Sequence, residues 1–230
     1  MLNRTLHQTI IISVLKAIYS DPELRTLLGF KGGTAAFLFY DLPRFSVDLD
    51  FELLDESKRE EILQKMTEIL SQMGDLTEAR EKLFTIFFLL NYQKGERNLK
   101  IEISKRTTSA EFEVKQLLGI PILVMKQEDM VAGKLAALLT RKQFASRDLF
   151  DLYYFLKDHW QIREKTLLAK TGLSVKNAIR DAITKIGKVP PGQILRGLGE
   201  LVDEKRKSWV REKLKDEVLF QLKLYSKTHA

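Results

Sequence analysis

The chain has 230 residues, one large domain or two small ones, and its 44% apolar content supplies a core and excludes intrinsic disorder. It has no cysteine, which removes disulfides, thiolate zinc sites and cysteine nucleophiles together; three scattered histidines (His7, His159, His229) form no metal-binding pair, so any metal must be a hard cation held by oxygen. The formal charge of +7 is unevenly placed: residues 1–160 carry 22 Lys and Arg against 23 Asp and Glu, and residues 161–230 carry 16 against 8. That asymmetry fits a polyanionic partner, nucleic acid first, or equally a solvated lysine-rich surface.

Residues 4–19 read as an amphipathic helix with Leu6, Ile10, Val14 and Ile18 near one face. Its apolar core is too short and interrupted for a membrane span and lacks a small-residue cleavage site, so a cytosolic protein is expected. A short segment at 27–31 leads to Gly32-Gly33-Thr34 and an apolar helical run, 35–40, ended by the Asp41-Leu42-Pro43-Arg44 loop. From Ser46 to Leu53 polar and apolar residues alternate strictly, which predicts a half-buried strand with its acids on one face. A charged helix over 56–73 follows, then a hairpin of 83–92 with 98–104 across Lys94-Gly95-Glu96-Arg97. After Pro121 a short apolar run, 122–125, precedes a helix at 127–141, and a second helix starts near 146–148 and runs to about 157. Everything beyond reads helical, broken at Thr171-Gly172, Gly187 and Pro190-Pro191-Gly192. The expected class is α+β: a mixed lobe with a small sheet over 1–125, and a helical, basic lobe over 126–230.

Motifs for other chemistries are missing. There is no phosphate-binding G-x-x-x-x-G-K-[ST] loop and no G-x-S-x-G elbow, and Gly197-Leu198-Gly199 lacks the third glycine and preceding strand of a dinucleotide fingerprint. Asp48 and Asp50 are two apart on the predicted strand, so their carboxylates point the same way and can share one or two cations. Alone, such a pair is as well explained by an exposed strand face. Gly32-Gly33-Thr34 lies fifteen residues earlier and opens a predicted helix, where paired glycines let a phosphate approach backbone N–H groups. A phosphate cradle beside a two-carboxylate strand is the minimal apparatus for handling nucleotide phosphates.

Phe30-Lys31-Gly32-Gly33-Thr34-Ala35 followed by Arg44-Phe45-Ser46-Val47-Asp48-Leu49-Asp50-Phe51 resembles the signature of the nucleotidyltransferase superfamily, and most of all its AbiEii/AbiGii abortive-infection toxin branch. The likeness continues through Lys134, Arg141 and Arg147-Asp148-Leu149-Phe150-Asp151-Leu152, and beyond 160 only a helical, basic character carries over. It implies that Gly32, Gly33 and Thr34, with Arg44 and Ser46, bind the nucleotide, that Asp48 and Asp50 hold magnesium, and that Lys134 contacts phosphates. It also implies that Asp148 is needed for activity, Lys134 and Asp148 being contributed from the second lobe. Read without it, Lys134 is a snorkelling lysine, and Asp148 and Asp151 are acids favoured by a helix N-terminus. Glu102, on a polar strand face, is the third carboxylate and a general-base candidate, or else a solvated acid.

The expected activity is magnesium-dependent transfer of a nucleoside monophosphate from an NTP to an acceptor hydroxyl. The acceptor is expected to be RNA, such as a tRNA 3′ end, and the protein a toxin with a cognate antitoxin. Lys185, Lys188, Arg196, Lys205, Arg206, Lys207 and Arg211 are the cations that would meet RNA. The alternatives are a transferase acting on a small molecule and a non-catalytic RNA- or antitoxin-binding module on the same fold.

Overall fold

The computed structural model describes residues 3–228, so His229 lies outside the described residues. The chain forms two compact units. The first takes residues up to Asp41, Phe45–Thr108 and Phe112–Met125; the second takes Leu42–Arg44, Ser109–Glu111 and residues from Lys126 on.

The first unit is built on one mixed seven-stranded sheet: β1 (Leu28–Lys31), β2 (Asp48–Leu53), β3 (Asp75–Glu81), β4 (Thr85–Asn91), β5 (Leu99–Ser104), β6 (Phe112–Leu117) and β7 (Ile120–Met125). The spatial order is β3-β4-β5-β2-β1-β7-β6, with β2/β5 and β1/β7 parallel and the other pairs antiparallel. Around it lie α1 (Arg4–Ser20), the single-turn α2 (Leu24–Leu27), α3 (Gly32–Phe39) and α4 (Arg59–Ser71). Asn3 caps α1 by accepting from the Leu6 N–H at 3.1 Å. The buried face of α1 is His7, Ile11, Val14, Leu15, Ile18 and Tyr19, so it is rotated from the predicted one and carries a histidine where the pattern favoured Leu6 and Ile10. In β2 and β5 the alternation is realised: Leu49, Phe51, Leu53, Leu99, Ile101 and Ile103 are buried on one face.

Two strands have no counterpart in the sequence reading. β3 is a polar edge strand with most of its side chains exposed, which suits an edge that must not pair further. β6 and β7 form a hairpin closed by Leu118-Gly119, both at positive φ (51° and 81°), the backbone of a two-residue turn that matches strand twist.

The second unit is helical: α5 (Gln127–Thr140), α6 (Ser146–Lys157), α7 (Glu164–Thr171), α8 (Val175–Gly187), α9 (Glu204–Glu212) and α10 (Leu214–Thr228). α5 packs against α6, α7 and α8, and α10 against α6, α8 and α9. Residues 194–203, expected to be helical, form turns instead; Gly197 takes φ 70°, which no helix allows. Buried Asp129 ties the unit's segments together by accepting from the Glu111 N–H at 3.1 Å and the Thr166 hydroxyl and pairing with Arg163 at 2.8 Å. No helix among the described residues is long and apolar enough to cross a membrane.

Candidate active site

The register of the central strands sets Lys31 of β1 opposite Asp50 of β2, Asp50 beside Glu102 of β5, and Asp48 beside Lys100. Partners across a sheet share a face, so Asp48, Asp50, Glu52, Glu102, Lys31 and Lys100 stand together opposite the apolar core. Lys31 pairs with Glu52 at 2.8 Å. The Lys100 ammonium lies 3.6 Å from Asp48 and 3.1 Å from Glu102. These six side chains count four carboxylates and two ammoniums. Burial pushes the Asp50 carboxyl above the usual range, and Asp48 and Glu102 push the same way against Lys31 and Lys100. Burial would lower the Lys100 pKa, but Asp48, Glu102 and Asp50 outweigh it and hold the ammonium charged.

Gly32 begins α3 at φ 81°, and a Cβ built there would lie 2.6 Å from Asp50 Oδ2. Both the left-handed backbone and the close carboxylate therefore demand glycine at this position. No side chain caps the first turn of α3. Thr34 and Ser46, expected to bind nucleotide, turn inward instead: both are buried, 2.9 Å apart, and Thr34 Oγ1 donates to the Asp48 carbonyl. A carbonyl only accepts, so the single Thr34 proton goes there and Ser46 donates to Thr34. The two hydroxyls thus brace the strand end that carries Asp48. Gly33 is buried in the same turn.

The second unit gathers the downstream residues into one ion-pair network. Lys134 Nζ lies 3.0 Å from Asp148 and 2.7 Å from Asp151. Arg141 pairs with Asp148 at 2.5 Å, and Arg44 grips both oxygens of Asp151 at 2.5 and 2.7 Å. Arg44, expected among the nucleotide-binding residues, is a buried partner of Asp151, with 2% of its side chain exposed. Burial works to raise the Asp151 carboxyl, but Arg44 and then Lys134 outweigh it and hold the pKa down at about 2. Lys134 is held charged, Asp151 and Asp148 outweighing its burial. Three cations against two carboxylates leave these five groups one positive charge in excess. Asp148 and Asp151 are therefore more than acids at a helix start: they fix the Lys134 ammonium in place.

The family model for "Nucleotidyl transferase AbiEii toxin, Type IV TA system" matches residues 13–222. The chain belongs to the AbiEii toxin family. In fold it is similar to the crystal structure of JHP933 from Helicobacter pylori, with a TM-score of 0.62 and 22% identity over 99% of this chain and 94% of that one. A second H. pylori structure, described as a candidate nucleotidyltransferase, matches with a TM-score of 0.61 and 22% identity over 97% and 95% of the two chains. No curated protein matches the sequence.

A nucleotidyltransferase of the AbiEii family implies an NTP and a divalent cation, and the donor set can be tested against the latter. Among the described residues no group of three or more His, Cys, Asp or Glu side chains is gathered for a metal, and the Lys100 ammonium lies beside Asp48 and Glu102. Magnesium does not require three protein ligands; it binds through one or two carboxylates and completes its shell with water and substrate phosphates. Asp48 and Asp50 are hard oxygen donors on one strand face, and the surplus of carboxylates there suits a divalent cation. The residues fit.

Asp151, present in the Arg147–Leu152 run without a role of its own, holds both Arg44 and Lys134. Two other residues escaped the sequence reading. Lys100 is one, a polar side chain of β5 that lies beside Asp48 and Glu102. His7 is fully buried: Nε2 donates to the Val47 carbonyl at 2.9 Å, and Nδ1 accepts from the Tyr92 hydroxyl at 2.8 Å. It fixes the residue before Asp48 from α1, and nothing in a lone histidine on an apolar face signals that.

Proposed function

We propose that this AbiEii-family chain transfers a nucleoside monophosphate from an NTP to an acceptor hydroxyl, with magnesium bound by Asp48 and Asp50 and RNA, such as a tRNA 3′ end, as acceptor. The acceptor oxygen forms a bond to the α-phosphorus as the bond from that phosphorus to the α,β-bridging oxygen breaks and pyrophosphate leaves. The hydroxyl proton passes to a carboxylate, and Glu102, in register with Asp50, is the base this reading assigns. The cation, when bound, neutralises charge on the phosphate oxygens. The chain's own part is positioning: Thr34, Ser46 and His7 fix the strand end, Gly32 opens the turn for phosphate, and Lys134 offers a fixed positive charge.

The observation that carries the reading is the pairing of Asp48 and Asp50 on one strand face with the Gly32 turn, where no Cβ fits beside Asp50. The type IV toxin–antitoxin assignment of the family supports a cognate antitoxin as genetic partner. The excess of cations after residue 160 favours a polyanionic acceptor over a small molecule.

The test is to incubate the protein with each labelled NTP, magnesium and total RNA. Label should enter RNA for the wild type, and Asp48→Asn should abolish it while circular dichroism shows an intact fold. Full transfer by Asp48→Asn would overturn the metal-site assignment, and label found only in a small product would overturn the RNA acceptor.

A further inference from the structure

The cations of the second unit are not equivalent. On α9 two of the three consecutive ones are engaged by acids of the same helix start: Arg206 pairs with Asp203, and Lys207 pairs with Glu204 at 2.5 Å. Lys185 is committed to structure, its Nζ donating to the Leu139 and Arg141 carbonyls at 2.9 and 3.2 Å at the end of α5. These residues, foremost by sequence, have part of their charge answered within the fold.

A groove of about 380 Å³ between α8 and the end of α10 is different. Its lining includes Lys176, Asn177, Arg180, Ile183, Thr184 and Ser226. Lys176, Arg180 and Thr184 recur every four residues and so share one face of α8. Lys223 stands one turn before Ser226 on α10, and residues 219–228 hold Lys223 and Lys227 with no acid. Lys176, Lys223 and Lys227 are exposed and have no ion pair among the described residues. The single acid of α8, Asp181, is taken by Arg180 at 3.2 Å on the exposed surface.

We propose that the α8–α10 groove and the lysines flanking it on these two helices are the surface that grips the RNA backbone, with phosphates on Lys176 of α8 and on Lys223 and Lys227 of α10 and the apolar Ile183 edge left for ribose and base. The proposal rests on the RNA-acceptor reading and adds where the RNA is held. Unanswered cations attract a polyanion by releasing its counterions, whereas cations already paired release fewer. The amide and hydroxyls of Asn177, Thr184 and Ser226 suit phosphate and sugar oxygens and read no sequence.

The experiment measures binding of a fluorescent single-stranded oligoribonucleotide to the full chain across a salt series. The wild-type affinity should fall steeply with salt. Lys176→Glu, Lys223→Glu and Lys227→Glu together should raise the Kd about tenfold or more and reduce the log–log salt slope by about 2, three lost contacts at about 0.7 each. The comparison variant, Lys205→Glu, Arg206→Glu and Lys207→Glu, should lower the slope by no more than about one contact. Melting curves check that both variants fold. A wild type without salt-dependent binding overturns the RNA-acceptor reading itself. Wild-type binding with an unchanged slope in the groove variant, or an α9 effect as large as the groove's, overturns the groove alone and leaves the acceptor class standing.

Discussion

At Gly32 two separate demands coincide: a left-handed backbone and a neighbour, Asp50 Oδ2, that leaves no room for a methyl group. Gly95 has the same kind of backbone, φ 85°, but nothing within 4 Å of the Cβ it lacks. Alanine at either position bears the left-handed strain, roughly 1–2 kcal/mol, and only at Gly32 must it also displace a carboxylate. Gly32→Ala should therefore lose more stability than Gly95→Ala in urea melts and should also lose most transferase activity, while Gly95→Ala keeps it. Equal losses in the two variants would mean that the Asp50 approach is unimportant.

His7 joins two elements, α1 and the start of β2. Burial lowers its pKa, and the hydrogen bond to the Val47 carbonyl offsets this only in part. The unfolded chain then takes up a proton near pH 6.5 that the folded chain resists, so stability is full above that pH and falls as pH drops below it. The melting temperature should decline between about pH 7 and 5, and His7→Gln should flatten that part of the profile; an unchanged slope would remove His7 as its source. The same histidine marks where the sequence was legible and where it was not. Elements with a strong internal period, β2, β5, α5 and α6, could be read because alternation or helical spacing follows directly from which face is buried. β3 could not, since an exposed edge strand has no buried face to impose a pattern. The β6–β7 hairpin was hidden because Leu118 occupies a positive-φ turn position where asparagine or glycine would have announced it. Within the site, the residues that bear charge, Lys100 apart, were visible as motifs. Their inner partners were not: Thr34 and Ser46 look like phosphate ligands, and Arg44 like a phosphate clamp, until packing turns them inward.

The chain passes through the second unit twice before residue 126, at Leu42–Arg44 and Ser109–Glu111. Both visits deliver a partner for a buried acid, Arg44 for Asp151 and the Glu111 N–H for Asp129. A fragment beginning at Lys126 keeps every helix of that unit yet leaves Asp151 without the stronger of its two cations. Removing one member of a buried ion pair costs about 3–5 kcal/mol, a large share of a small domain's stability. The isolated 126–230 fragment should accordingly show weak, non-cooperative melting by circular dichroism. A sharp transition like that of the full chain would show the unit to be self-sufficient.

The crowding of carboxylates beside Gly32 also bears on inheritance. Replacing Asp50 by asparagine takes a single base change, keeps the side chain's shape, and removes a charge whose burial the fold resists. If Asp50 holds the cation as proposed above, losing activity by this change relieves a buried carboxylate instead of opening a cavity, and the chain stays folded while falling silent. On that reading the gene for such a chain falls dormant in one base change and returns by a single reversion, its fold kept throughout.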